Sequence, residues 1–221
     1  MGSMAVVERS IETITHGRYL VEAPKPGLPM LVGFHGYAES AEMQFNRLRS
    51  IEGADGWLLL SVLGLHRFYR GRSAEVVASW MTRQDRDLAI ADNTLYAENV
   101  INVVAKEYSC TNNVVLSGFS QGVAMAFRTA ERLGKTVDGI IALGGDVPPE
   151  LDASALSHIR TALIGRGNND EWYTADKLAA DESRLSEAGI QVDAFSFNAA
   201  HEWTPEFSRA AARFLNSIYL R

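Results

Sequence analysis

Hydrophobic positions along this chain switch repeatedly between short continuous apolar runs and stripes at helical spacing. Continuous runs at residues 30–34, 57–65, 113–116, 139–143, 161–164 and 192–197 predict buried strands. Between them Ala41, Phe45 and Leu48 mark one helix face, and Ala97, Val100, Ile101, Val104 and Tyr108 mark another. Val123, Ala126, Phe127, Ala130 and Leu133 form a third stripe, with Gly134 placed to end that helix. A fourth runs through Leu178, Leu185 and Ala188, and the clearest joins Phe207, Ala210, Ala211, Phe214, Leu215 and Ile218. Residues 6–15 and 18–23, on either side of His16-Gly17, look extended and predict an N-terminal antiparallel hairpin. Residues 66–86 show no period and read as a long loop, a kind of segment that often carries function. Strands alternating with amphipathic helices predict an α/β fold, a mostly parallel sheet with helices on both faces. In such a sheet the ligand site lies at the carboxyl ends of the strands.

Composition narrows this picture. A chain of 221 residues with 47% hydrophobic content can build one core, so residues 4–221 are expected to form a single domain. Met1-Gly2-Ser3 reads as an expression scar. The net charge is −6, and the only basic grouping is the scattered Arg67, Arg70 and Arg72, so nucleic acid is not expected as a partner. Cys110 is the sole cysteine, which excludes an intrachain disulfide and a thiolate metal cluster and suggests a reducing compartment. The longest apolar run, residues 57–65, is far short of the roughly twenty residues a membrane span needs. The expectation is a cytoplasmic protein without a membrane span or a metal.

Candidate chemistry follows the strand ends. Gly118-Phe119-Ser120-Gln121-Gly122 is a G-x-S-x-G sequence, which arises by chance in about one chain in ten of this size and composition. Its setting between an apolar strand and an amphipathic helix is what a nucleophile elbow requires. A serine hydroxyl needs a base, and the base needs an orienting carboxylate. The expected chain order is Ser, acid, His. Only His158 and His201 follow Ser120, and His158 precedes a strand whereas His201 follows the last one, so His201 is the candidate base. Asp170, just beyond the penultimate strand, is the first choice of acid, ahead of Asp146 and Glu171. Oxyanion donors are expected from the backbone N–H groups of Gln121, directly after the serine, and Tyr37, in the loop after the early strand. His35 reads as a structural group holding that loop by a hydrogen bond.

Phe34-His35-Gly36, the Gly118 to Gly122 segment, Gly167-x-x-Asp170 and His201-Glu202 together resemble the phospholipase/carboxylesterase family, close to the acyl-protein thioesterases. The resemblance implies an α/β-hydrolase fold, no cofactor, and hydrolysis of carboxylic esters or acyl thioesters by Ser120, Asp170 and His201. It also implies that the loop with Asp146 and Val147 borders a substrate pocket and that residues 66–86, with Trp80, form a pocket wall. Trp172 and Trp203 are further pocket candidates. Tyr37-Ala38 stands where the family commonly has Leu-Gly. The expected partner is a small-molecule ester or thioester, with a homodimer left open. A carboxylesterase is the leading reading; an acyl thioesterase, a lysophospholipase and a non-catalytic binding protein on the same fold are the alternatives.

Overall fold

The structure, a computed structural model, describes residues 5–219, so the Met1-Gly2-Ser3 segment lies outside the described residues. Five fully buried strands form the centre: β2 (Met30–Phe34), β3 (Leu58–Leu63), β6 (Val114–Phe119), β7 (Gly139–Leu143) and β8 (Thr161–Gly167). With β1 (Arg18–Glu22) and β9 (Gln191–Phe197) at the edges they make one seven-stranded sheet in the order β1-β3-β2-β6-β7-β8-β9. All neighbours are parallel except β1 against β3.

The two-residue period of each strand feeds two cores. Met30, Val32 and Phe34, with Leu58, Leu60, Ile140 and Ile164, face one side, where α2 (Arg86–Glu107), α3 (Gln121–Arg132) and α5 (Ala175–Glu187) bring Ile101, Phe127 and Leu185. Leu31, Leu59, Val115, Ile141 and Leu163 face the other, covered by Phe45 and Leu48 of α1 (Ala41–Arg49) and by Phe207, Ala211 and Phe214 of α6 (Pro205–Tyr219). The short α4 (Ala153–Leu156) precedes β8. Gly134 closes α3 at φ 57, the left-handed position that its place after the apolar stripe predicted. Among the described residues no helix is long and apolar enough to cross a membrane.

Two segments differ from the sequence expectation. The N-terminal antiparallel strand is β1, but its partner is β3; residues 5–17 form no strand, and Val6, Ile11 and Ile14 stay exposed. The apolar edge of β3 has to be covered on its outer side, and β1 does so with Leu20 packed into the core beside Leu63. A strand from residues 6–15 could pair only with the outer edge of β1, where it would bury little. Residues 66–86 are not a loop: β4 (His66–Tyr69) and β5 (Val76–Ser79) form a separate antiparallel hairpin, and α2 begins at Arg86.

The joint between β6 and α3 is packed backbone against backbone. A Cβ on Gly122 would stand 2.1 Å from the Phe34 carbonyl oxygen, and one on Gly118 would stand 2.5 Å from the Gly122 carbonyl oxygen. Both obstacles are backbone, so neither can swing away. Gly122→Ala is expected to cost about 3 kcal/mol or more by forcing α3 off β2, which a thermal melt should register as a Tm lowered by about 10 °C; a Tm within 2 °C or so of the parent would contradict the packing described.

Candidate active site

Because the central strands are parallel, the turns after β2, β6, β7, β8 and β9 gather at one end of the sheet, and backbone hydrogen bonds tie the last four in sequence. Ser120 N donates to Leu143 O (2.8 Å), Gly144 N to Gly165 O (3.0 Å), and Asn168 N and Asn169 N to Phe197 O and Ala199 O (2.7 and 2.9 Å). Ser120, after β6, takes φ 52 and ψ −120, a conformation unfavourable for any residue with a Cβ. Its side chain does not cap α3. The hydroxyl is therefore available to a ligand, and the Gln121 N–H at the start of the helix has no acceptor within it; the first-turn N–H of Val123 donates to Ser120 O at 3.0 Å.

His201 Nδ1 lies 2.7 Å from Asp170 Oδ2. The carboxylate can only accept, so Nδ1 carries the proton and Nε2 is left as the acceptor. Asp170 is almost fully buried, and its other oxygen accepts from Trp172 N (2.8 Å) and Tyr173 N (2.9 Å), which fix its direction. The Phe119 ring packs on the His201 imidazole with centroids 5.1 Å apart. Ser120 and His201 line the same cavity of about 590 Å³ with Tyr37, Gln121, Asp146 and Trp172. Among the described contacts no hydrogen bond joins Ser120 to His201. Asp146 pairs instead with Lys177 at 3.1 Å, and Glu171 is exposed.

The loop after β2 is held from three sides. His35 is fully buried: Nδ1–H donates to Gly36 O (2.7 Å), Nε2 accepts from Gly64 N (3.0 Å), and the Trp80 indole stacks on it at 4.8 Å. Burial pushes its pKa down to about 4, against a smaller opposing contribution from the Gly36 carbonyl. It is a neutral strut, as the sequence suggested. Glu39 Oε2 accepts from Gly36 N at 2.7 Å, and Arg47 grips both Glu39 oxygens at 2.5 and 2.6 Å. Burial works to raise the Glu39 pKa, but the hydrogen bonds and charge of Arg47 outweigh it and hold the carboxylate below its ordinary value. The same guanidinium lies 4.2 Å from the centre of the Phe119 ring. Finally β5 docks on the loop, Ala38 N donating to Ala78 O (3.0 Å) and Ala78 N to Glu39 O (2.9 Å). Gly36 N and Ala38 N are thus engaged, and Tyr37 N between them has no acceptor among the described residues. Ala38, where the family commonly has glycine, sits at φ 55.

Three pocket candidates lie elsewhere. Trp80 is fully buried under the loop, because its indole N–H finds an acceptor in His35 O at 2.8 Å. Val147 is buried as well: Asp181 Oδ2 accepts from its N–H and Arg184 donates to its carbonyl. Trp203 turns to the α1–α6 side, where Nε1 donates to Ser208 Oγ and the ring lines a different cavity. Sequence reasoning missed three contributors: the Glu39–Arg47 pair, the β4–β5 hairpin and the Gln121 side chain. Gln121 Oε1 accepts from Trp80 N (2.9 Å) and Ser79 Oγ (3.2 Å), and Nε2 donates to Met81 O (2.9 Å).

This architecture is the α/β-hydrolase fold, and solved structures align with it over most of their length. A carboxylesterase from Mesorhizobium loti matches with TM-score 0.74 at 20% identity, covering 90% of this chain and 94% of that one. The Bacillus cereus carboxylesterase matches at 0.72 and 17%, over 91% and 94%. Arabidopsis thaliana SOBER1 matches at 0.71 and 16%, over 87% and 100%. No curated protein matches in sequence. The phospholipase/carboxylesterase family model matches residues 76–219, well over half of the chain, and the protein belongs to that family of ester hydrolases.

The neutral His35 makes stability depend on pH. Its native pKa is depressed from 6.5 to about 4, so its contribution is complete above pH 6.5 and is lost as pH falls toward 4, while the unfolded chain takes up the proton. Urea unfolding at pH 7.5 and pH 5 should differ by about 2 kcal/mol more in the parent than in His35→Gln; equal pH slopes in the two proteins would show that His35 is protonated in the fold.

Proposed function

We propose that the protein is a serine hydrolase that cleaves carboxylic esters through an acyl-enzyme, with Ser120 as nucleophile, His201 as base and Asp170 as its orienting acid. The observation that carries this reading is the 2.7 Å hydrogen bond between His201 and a buried Asp170, in a cavity shared with a left-handed, uncapped Ser120. In the first half-reaction Ser120 Oγ attacks the ester carbonyl carbon while His201 Nε2 takes the hydroxyl proton. Asp170 stabilises the imidazolium by accepting from Nδ1–H. The carbonyl oxygen, now negative, is held by Tyr37 N–H and Gln121 N–H. Collapse of the intermediate breaks the C–O bond of the ester as His201 returns the proton to the departing alcohol. Water then attacks the acyl-serine with His201 again as base, and the acid and free Ser120 result.

A fluorophosphonate probe is expected to label Ser120, and Ser120→Ala to lose both labelling and about 10⁶-fold in kcat on a short p-nitrophenyl ester. Absence of turnover and of labelling in the parent would favour the non-catalytic reading. The two candidate acids separate by kinetics. Asp170→Asn should fold normally and lose about 10⁴-fold in kcat, because an amide favours the wrong histidine tautomer. Asp146→Asn, at a cavity wall and paired with Lys177, should keep kcat within about tenfold and move KM instead. The reverse ranking would transfer the acid role to Asp146.

A further inference from the structure

The cavity beside Ser120 has a charged wall that ester cleavage does not use. Gln121, Ala124 and Arg128 line it from a single face of α3, and seven residues of helix carry Arg128 about 10 Å beyond Gln121 along the axis. The Arg128 side chain is only 5% exposed. Its Nε and Nη2 both engage one oxygen of Glu150, at 2.7 and 2.6 Å, and the partner of Nη1 is the thioether sulfur of Met81 at 3.7 Å. A thioether is a weak acceptor, so one side of a buried guanidinium lacks a strong one. Arg86 lines the same cavity and comes no closer than 4.0 Å to its nearest acidic partner, the fully exposed Asp87. Burial lowers the Arg128 pKa and Arg86 adds repulsion to it, as expected of two guanidinium groups near a single carboxylate. The remaining cation on the wall, Lys177, is paired with Asp146. Two positive groups and one weakly satisfied, desolvated donor face therefore line the cavity that also holds Ser120.

We propose that the cavity selects esters carrying a second, anionic group, a carboxylate that Arg128 and Arg86 bind at the end remote from Ser120. This inference rests on the ester-hydrolase reading of Ser120. A guanidinium presents N–H groups in a plane that matches a carboxylate, and in a desolvated site such charge-assisted bonds are about twice as strong as neutral ones. The distance along α3 calls for a short chain between the scissile carbonyl and the anion rather than a long acyl tail.

The test compares kcat/KM for charged and neutral esters of matched length by titration of released acid. Monomethyl adipate against methyl hexanoate places the carboxylate on the acyl side, and γ-acetoxybutyrate against butyl acetate places it on the alcohol side. The charged ester should be preferred about tenfold or more in one arm, and the arm that responds identifies the side. Arg86→Gln and Arg128→Met should bring the ratio toward one, chiefly through KM, while Arg132→Gln, farther along α3 and paired with Glu98, should leave it unchanged. If Arg128→Met does not fold, Arg86→Gln decides alone. Equal or better use of the neutral ester in both arms, or a preference that survives Arg86→Gln, overturns the proposal. A parent that cleaves no ester and leaves Ser120 unlabelled overturns the hydrolase reading beneath it, and the two failures are distinct.

Discussion

The contact on which the site depends is the approach of the first turn of α3 to the end of β2, close enough that Gly122 leaves no room for a Cβ against the Phe34 carbonyl. Everything at that end of the sheet inherits its spacing from this contact. The left-handed turn at Ser120 is the sharp joint that lets α3 descend there directly after β6. The same descent sets the start of α3, with the Gln121 N–H, beside the loop that carries Tyr37. Gly145 continues the pattern on the far side, where a Cβ would meet the Ser120 carbonyl at 2.3 Å. Small residues stand on both flanks of the serine because three backbone segments converge on it.

Around this joint the protein uses two opposite electrostatic strategies within a few residues. His35 is kept neutral by burial and works as a hydrogen-bonded spacer between β2 and Gly64. Glu39, four residues later, is kept charged in spite of burial, because Arg47 supplies two hydrogen bonds and a full countercharge. Both serve the same end. They occupy the polar groups of the loop around Tyr37, whose own N–H has no acceptor among the described residues.

The sheet, its parallel sense and the helix faces were legible because each buried strand is a continuous apolar run and each helix carries a stripe at its own period. Asp170 and His201 were legible as neighbours for a topological reason: residues after adjacent parallel strands must emerge at the same end. The hairpin was missed although Phe68-Tyr69 and Val76-Val77 flank a Gly71-Arg72-Ser73 turn, because four-residue strands are too short to show a period. Trp80 and Val147 were expected at the pocket because the family resemblance implies it, and Trp203 was a further candidate. A segment's place beside a pocket does not say which side of the backbone each side chain takes, and hydrogen bonds hold these three elsewhere: His35 O accepts from the Trp80 indole, Asp181 from the Val147 N–H and Ser208 Oγ from the Trp203 indole. The Glu39–Arg47 pair joins a loop to a helix eight residues on and leaves no pattern in the sequence at all.

Gln121 divides its labour between main chain and side chain. Its amide fastens the segment after β5 to the Ser120 turn mostly through peptide groups, Trp80 N and Met81 O, rather than through side chains. Peptide groups are common to every amino acid. The hairpin can therefore drift in sequence, exchanging the residues it shows to the cavity mouth, such as Phe68 against the Tyr37 ring, without losing its anchorage. A grip on backbone groups lets the rim of the cavity change its side chains while the turn it is fastened to stays in place.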